Sequence, residues 1–322
     1  MKQTITKNFL LIVLAIAVVF AFAMKATIFQ NPVSATVPAS PPPANFAAYW
    51  FAGKAELNSY TLQQAQYGSL NAGEAVLIFV TEDFRTDKQV KAETPESHDK
   101  SVPVLKTNLS KKFTTGIYDY SLFTSVFTPI SHGNSQPTLF PNTLKVSTSA
   151  QEWCGHSYLQ LNYATNAYHV DSKSYFESEV SEDYEVEKVM LEDELWNRIR
   201  LAPDQLPVGE TRLISGTMAA RLRHKRLEPL PVKTKLSDYE GILFPGKLLK
   251  SYTVQYPTDD RTLMIVFESA FPHKIVGWEE TYKSKDNLLT SRAVLKKTIQ
   301  SDYWNHNAPA DSTLRRELLI NR

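Results

Sequence analysis

At 322 residues, with 43% hydrophobic and 21% charged side chains, the chain carries ample apolar material for a core. That excludes a disordered or fibrous chain and allows one large or two ordinary domains. Its 35 Lys and Arg are balanced by 34 Asp and Glu, so no net field draws in a polyanion and nucleic acid is a poor candidate partner.

The first element is an unbroken apolar run from Phe9 to Met24, preceded by Lys2 and Lys7. This is the positive region followed by an apolar stretch that export machinery reads, and it predicts a protein sent to the periplasm or cell envelope. The run is long for a cleaved signal and short for a comfortable membrane crossing, so two fates stay open for residues 1–30. Cleavage would fall after a small-x-small site such as Ala21 to Ala23. Retention would leave the protein anchored in the inner membrane by residues 9–24. No Cys stands near the end of the run, so a lipoprotein signal is excluded. Residues 31–45 (NPVSATVPASPPPAN) form a spacer that favours extended polyproline conformations.

From residue 46 to 322 the pattern predicts an exported, mainly β domain. Glu74 to Val80 (EAVLIFV) reads as a buried strand, and Lys112 to Pro129, dense in Thr, Tyr, Phe and Val, as two strands or one bent strand. Thr86 to Pro103 reads as a connecting loop. Further strands are predicted over 143–149, 157–163, 168–179, 211–221, 250–256, 262–268, 274–282 and 288–299. Their close succession, without alternating helices, argues for antiparallel pairing. One helix is expected over Glu187 to Arg200, with Val189, Met190, Leu195 and Ile199 near one face and Pro203 as its stop. The Pro- and Gly-containing stretch 228–246 is a possible subdivision or a long connection, with one extended β body preferred. The predicted fold class is therefore mainly β, one or more large curved antiparallel sheets with one or two helices.

Few residues suggest chemistry. Cys154 and His156 lie two apart, a spacing that would put thiol and imidazole on one side of a strand and lower the thiol pKa for nucleophilic work. A small buried Cys beside Trp153 is the commoner outcome. Arg221, Arg223, His224, Lys225 and Arg226 form a basic patch for a phosphate-bearing lipid, a polysaccharide or another anionic partner, or simply a strand end facing water. The remaining histidines lack metal-ligand spacing, and no cofactor is expected. The acidic runs over 182–187 and 192–194 are expected to be solvated faces. GxSxG, Walker and GxGxxG motifs are all missing.

Several blocks carry a resemblance: Tyr252 to Tyr256 (YTVQY), Arg261 to Ile265 (RTLMI), Phe271 to Ile275 (FPHKI), Gly277 to Glu280 (GWEE) and Asp302 to Trp304 (DYW). Gln151 to His156, Phe113 to Tyr118 and Ala75 to Val80 extend it over most of the chain. They resemble a family of exported bacterial proteins often labelled septum formation inhibitor Maf. The resemblance implies an envelope protein and assigns no activity. True Maf nucleotide pyrophosphatases are α/β enzymes with a phosphate-binding Ser-Arg-Arg segment just after their first strand. Here the similar string, Ser312 to Leu319 with Arg315 and Arg316, stands at the other end of the chain and reads as a surface helix.

The expectation from sequence is a non-enzymatic envelope protein whose curved sheet presents a concave apolar face to a lipid, glycan or protein. The alternatives are a thiol-dependent enzyme at Cys154 and a Maf-like pyrophosphatase.

Overall fold

In the computed structural model the residues described are 43–130, 142–179 and 181–320. The apolar run 9–24 and most of the spacer 31–45 lie outside them. No helix among the described residues is long and apolar enough to cross a membrane.

A short helix, α1 (Phe46–Trp50), precedes the first strands, β1 (Ala55–Gln66), β2 (Ser69–Arg85) and the stub β3 (Val90–Lys91). The turn helix α2 (Pro95–His98) leads to β4 (Ser101–Thr115), β5 (Tyr118–Pro129), β6 (Lys145–Glu152), β7 (Gly155–Tyr163), β8 (Ala167–Ser174) and β9 (Glu182–Glu187). Two-residue β10 (Met190–Leu191), a 3-10 turn over Glu192–Glu194 and α3 (Leu195–Leu201) follow. After β11 (Gly209–Ile214) and α4 (Thr217–Leu222), the chain returns to strands. These are β12 (Pro229–Asp238), β13 (Leu249–Tyr256), β14 (Arg261–Glu268), β15 (Ile275–Ser284) and β16 (Asn287–Ser301), before α5 (Thr313–Glu317).

One sheet takes in every strand, in the order β10-β11-β12-β13-β14-β15-β16-β1-β2-β4-β5-β6-β7-β8-β9, with β3 added to β2. All pairs are antiparallel except β10 with β11. The predominantly β, antiparallel expectation holds, and the sheet runs unbroken through 228–246, where β12 pairs with both β11 and β13.

The two ends of this path, β9 and β10, are separated in sequence only by Lys188 and Val189. Three Cα steps reach about 11 Å at most, so the sheet must wind round until its edges nearly meet. Alternation then sorts the side chains. Tyr60, Leu62, Leu77, Phe79, Leu109, Phe113, Leu122, Tyr252, Ile265 and Trp278 point to one shared cluster, together with Leu195, Trp196, Ile199, Met218 and Leu222 from α3 and α4. A cluster touched by so many strands is the concave side, and the chain's own segment 191–227 fills it.

Two expectations change here. The predicted helix 187–200 splits, because only its second half is helical while Met190 and Leu191 pair with Leu213 and Ile214. The predicted strand 211–221 stops at Ile214 and turns helical from Thr217, where Met-Ala-Ala favours helix and Ala219, Ala220 and Leu222 are buried.

Candidate functional site

The positions singled out from sequence do not converge. Trp153 and Cys154 form the tip of the β6–β7 hairpin, and the register sets Glu152 opposite Gly155 and Gln151 opposite His156. Cys154 is exposed, not the buried small side chain expected beside a Trp. Trp153 is 68% exposed, with its ring 6.4 Å from that of Tyr118 on β5. No hydrogen bond joins Cys154 to His156 among the described residues.

The basic patch lies on and after α4, and acidic partners meet it at each residue. Arg221 bonds Glu152 (3.1 Å) and Ser157 (2.8 Å) and stacks on Phe176. Arg223 clasps Asp259, with Lys225 3.8 Å from the same carboxylate. Arg226 reaches Glu182 (3.1 Å) over the Tyr184 ring, and His224 bonds Glu179. A cavity of about 90 Å³ lies among Arg221, Lys225, Arg226, Glu179 and Tyr184. Its positive groups are already neutralised where they stand.

The interior holds charged residues that sequence reading placed in water. Glu192, Asp193 and Glu194 are all buried. Glu192 takes two bonds of 2.5 Å from Arg261 and a third from Tyr256 (2.5 Å), while Arg261 also reaches Glu280 (2.6 Å). Glu194 accepts from the Thr143 amide (3.1 Å) and hydroxyl (2.6 Å). Asp193 accepts from the Thr217 amide at 2.9 Å. Burial, reinforced by the neighbouring Glu192 charge, pushes its carboxyl up to about 7, although the Thr217 bonds oppose the shift.

Asn197 on α3 bonds Leu105 O (3.0 Å), Thr128 (2.8 Å) and Thr107, and Arg200 forms a two-pronged pair with Glu56 (2.5 and 2.6 Å). Arg200 also donates to Pro272 O (2.8 Å) and lies over the Phe79 and Trp50 rings. Burial alone would raise the Glu56 carboxyl, but Arg200 holds it below the ordinary value. This network pins the internal segment to strands from both halves of the sheet. The cavity left beside it, lined by Lys111, Asp193, Trp278 and Glu280, measures about 30 Å³, room for water and little else.

A larger space lies on the opposite, outer face. Residues 303–320 return across β1 and β2, where Leu318, Ile320 and Tyr303 pack with Ala55, Leu57, Ile78, Val80 and Ile299. Ser59 donates to Leu318 O, and Lys296 to Leu319 O and to Glu74 (2.7 Å). Between this segment and β1, β2, β4 and β5 runs a groove of about 860 Å³. One wall is apolar, with Leu57, Val76, Ile78, Leu314 and Leu318. The other is polar, with Ser110, Lys112, Thr114, Asp119 and Ser121. The groove is ligand-sized, two-walled and graded from apolar to polar, the features of a small-molecule seat.

The Ser312 to Leu319 string forms α5 and the turn after it, and Arg315 lines the groove. It follows no strand-to-helix phosphate loop. The groove was not legible in sequence, since its walls are the outward residues of strands whose inward residues gave the strand signal. Among the described residues, no group of three His, Cys, Asp or Glu side chains is placed to hold a metal ion.

No known family's sequence profile matches this chain, and no curated protein matches it. Among solved structures, a β-barrel-like protein of a domain of unknown function, DUF1849, from Brucella abortus is similar, with a TM-score of 0.44 and 11% identity. The match covers 76% of this chain and 96% of that one.

Proposed function

We propose that this chain is an exported, non-enzymatic binding module of the cell envelope whose ligand sits in the outer groove under residues 303–320. The observation that carries this reading is the groove itself, about 860 Å³ between the β1–β2–β4–β5 face and the C-terminal segment. The concave face expected to receive the ligand is filled by the chain's own α3 and α4. Binding therefore moves to the other side of the sheet.

The test is native mass spectrometry on protein purified from its own envelope fraction, beside the variant Val76→Trp, which fills the groove floor from an outward, partly buried position. The expected result is a co-purifying small molecule on the parent protein and none on the variant. Parent protein that is reproducibly empty would defeat the proposal. Export is tested separately with a reporter fused behind Asn45, active only outside the cytosol; a reporter that is made but stays inactive would remove the envelope assignment.

A further inference from the structure

Resting on that reading of the groove, we infer that its ligand is a single-chain amphiphile with an anionic head group, the chain toward Leu57 and Ile78 and the head at Lys112. Three observations lead there. From Glu74, which lies opposite Lys112, the floor of the groove follows β2 through Val76 to Ile78, four residue steps or about 13 Å, close to the roughly 15 Å of hydrocarbon in one bilayer leaflet. Its apolar end is closed by Leu318, Ile320 and Tyr303, and its other end is polar.

At that polar end the ionic groups differ in how they are engaged. Glu74 is bridged by Lys296, Asp119 accepts from Thr114, and Asp311 accepts from the Ala308 amide and lies 3.5 Å from His306. Lys112 is exposed on the same wall, and among the described residues its side-chain ammonium makes no hydrogen bond or ion pair. An anion there gains a cation without breaking an existing pair.

Other ligand chemistries fit less well. A peptide strand needs an open sheet edge, and β1, β2, β4 and β5 are each hydrogen-bonded on both sides. A peptide laid on the apolar wall would strand its own backbone polar groups. A sugar needs an open aromatic face, but the rings lining this groove are not available: Phe113 and Tyr120 are buried, and Tyr303 packs into the cluster beneath the C-terminal segment.

The experiment uses calorimetry with dodecanoate, octanoate and dodecyltrimethylammonium, each below its micelle concentration. Dodecanoate should bind, and each added methylene from eight to twelve carbons should tighten binding by up to roughly fourfold. Lys112→Glu should weaken dodecanoate by roughly fivefold without weakening dodecyltrimethylammonium, whereas Lys235→Glu, on a strand remote from the groove, should change neither. Val76→Trp should weaken both. Equal binding of the two head groups, or indifference to Lys112→Glu, would overturn the assignment of ligand class. If none of the three binds while Val76→Trp still expels the molecule carried from the envelope, the amphiphile is wrong and the groove stands. If the variant keeps that molecule, the groove reading itself falls.

Discussion

Arg200 and Glu56 meet in the dry interior, where a lone charge would be far more costly than the pair. Arg200→Met leaves Glu56 buried without its cation, and a loss of about 3–5 kcal/mol is expected in urea unfolding. The double variant Glu56→Leu with Arg200→Met should recover much of that loss, because the hydrophobic replacement removes both desolvated charges. The pair and Asp193 respond to pH in opposite senses. The Glu56 carboxyl sits below its ordinary value, so its contribution is present above the unfolded carboxylate range and fades as pH falls through the native value. The Asp193 carboxyl rises from 3.8 to about 7, so between those values the folded chain holds the proton that the unfolded chain has lost. Stability should then fall as pH rises across that window, by on the order of 2–4 kcal/mol. Asp193→Asn should flatten this slope, read as unfolding midpoints measured from pH 4 to 8. None of this was legible in the run Glu192 to Glu194, because adjacent acids look solvated until their partners are known. Those partners, Arg261, Thr217 and Thr143, come from separate parts of the chain.

At the scale of elements, strands with a compact apolar, β-branched run, such as β2 and β14, were readable from composition and length. Strand β1 was less legible, because Glu56, Asn58 and Gln64 are buried among its inward positions and interrupt the pattern. Strand β12 was mistaken for a connection because of Pro229 and Pro231. Both fit because pairing with β13 begins only at Lys233, leaving the prolines hydrogen-bonded on one side at most. Helix α4 was read as strand since six residues, Thr217 to Leu222, are too few to show a period that separates the two states. Gly73 shows a constraint that only packing reveals. A Cβ there would run into the Lys112 carbonyl and Phe113 on the neighbouring strand. Gly73→Val is expected to cost about 1–3 kcal/mol, measured by thermal unfolding, and to weaken ligand binding at the adjoining groove.

For the molecule as a whole, the sheet is a nearly closed wall with a seam between β9 and β10. Among the described residues strand β9 (EDYEVE) pairs with β8 alone, and its exposed Glu182, Asp183, Glu185 and Glu187 make that edge repulsive to other strands. Glu185→Val with Glu187→Val should leave the fold intact while promoting self-association, seen as concentration-dependent growth in light scattering. The large antiparallel architecture was legible because many short alternating segments without intervening helices have few other solutions. Its closure was not, because it depends on which strands are neighbours, and β1 pairs with β16. That pairing sets an order on biosynthesis. Strand β1 waits, with one flank open, for β16, the first and last strands among the described residues, so a ribosome that stalls before Asn287 releases a product with two bare flanks. Quality control should meet such fragments as sticky, protease-sensitive chains and never as smaller working versions of the protein.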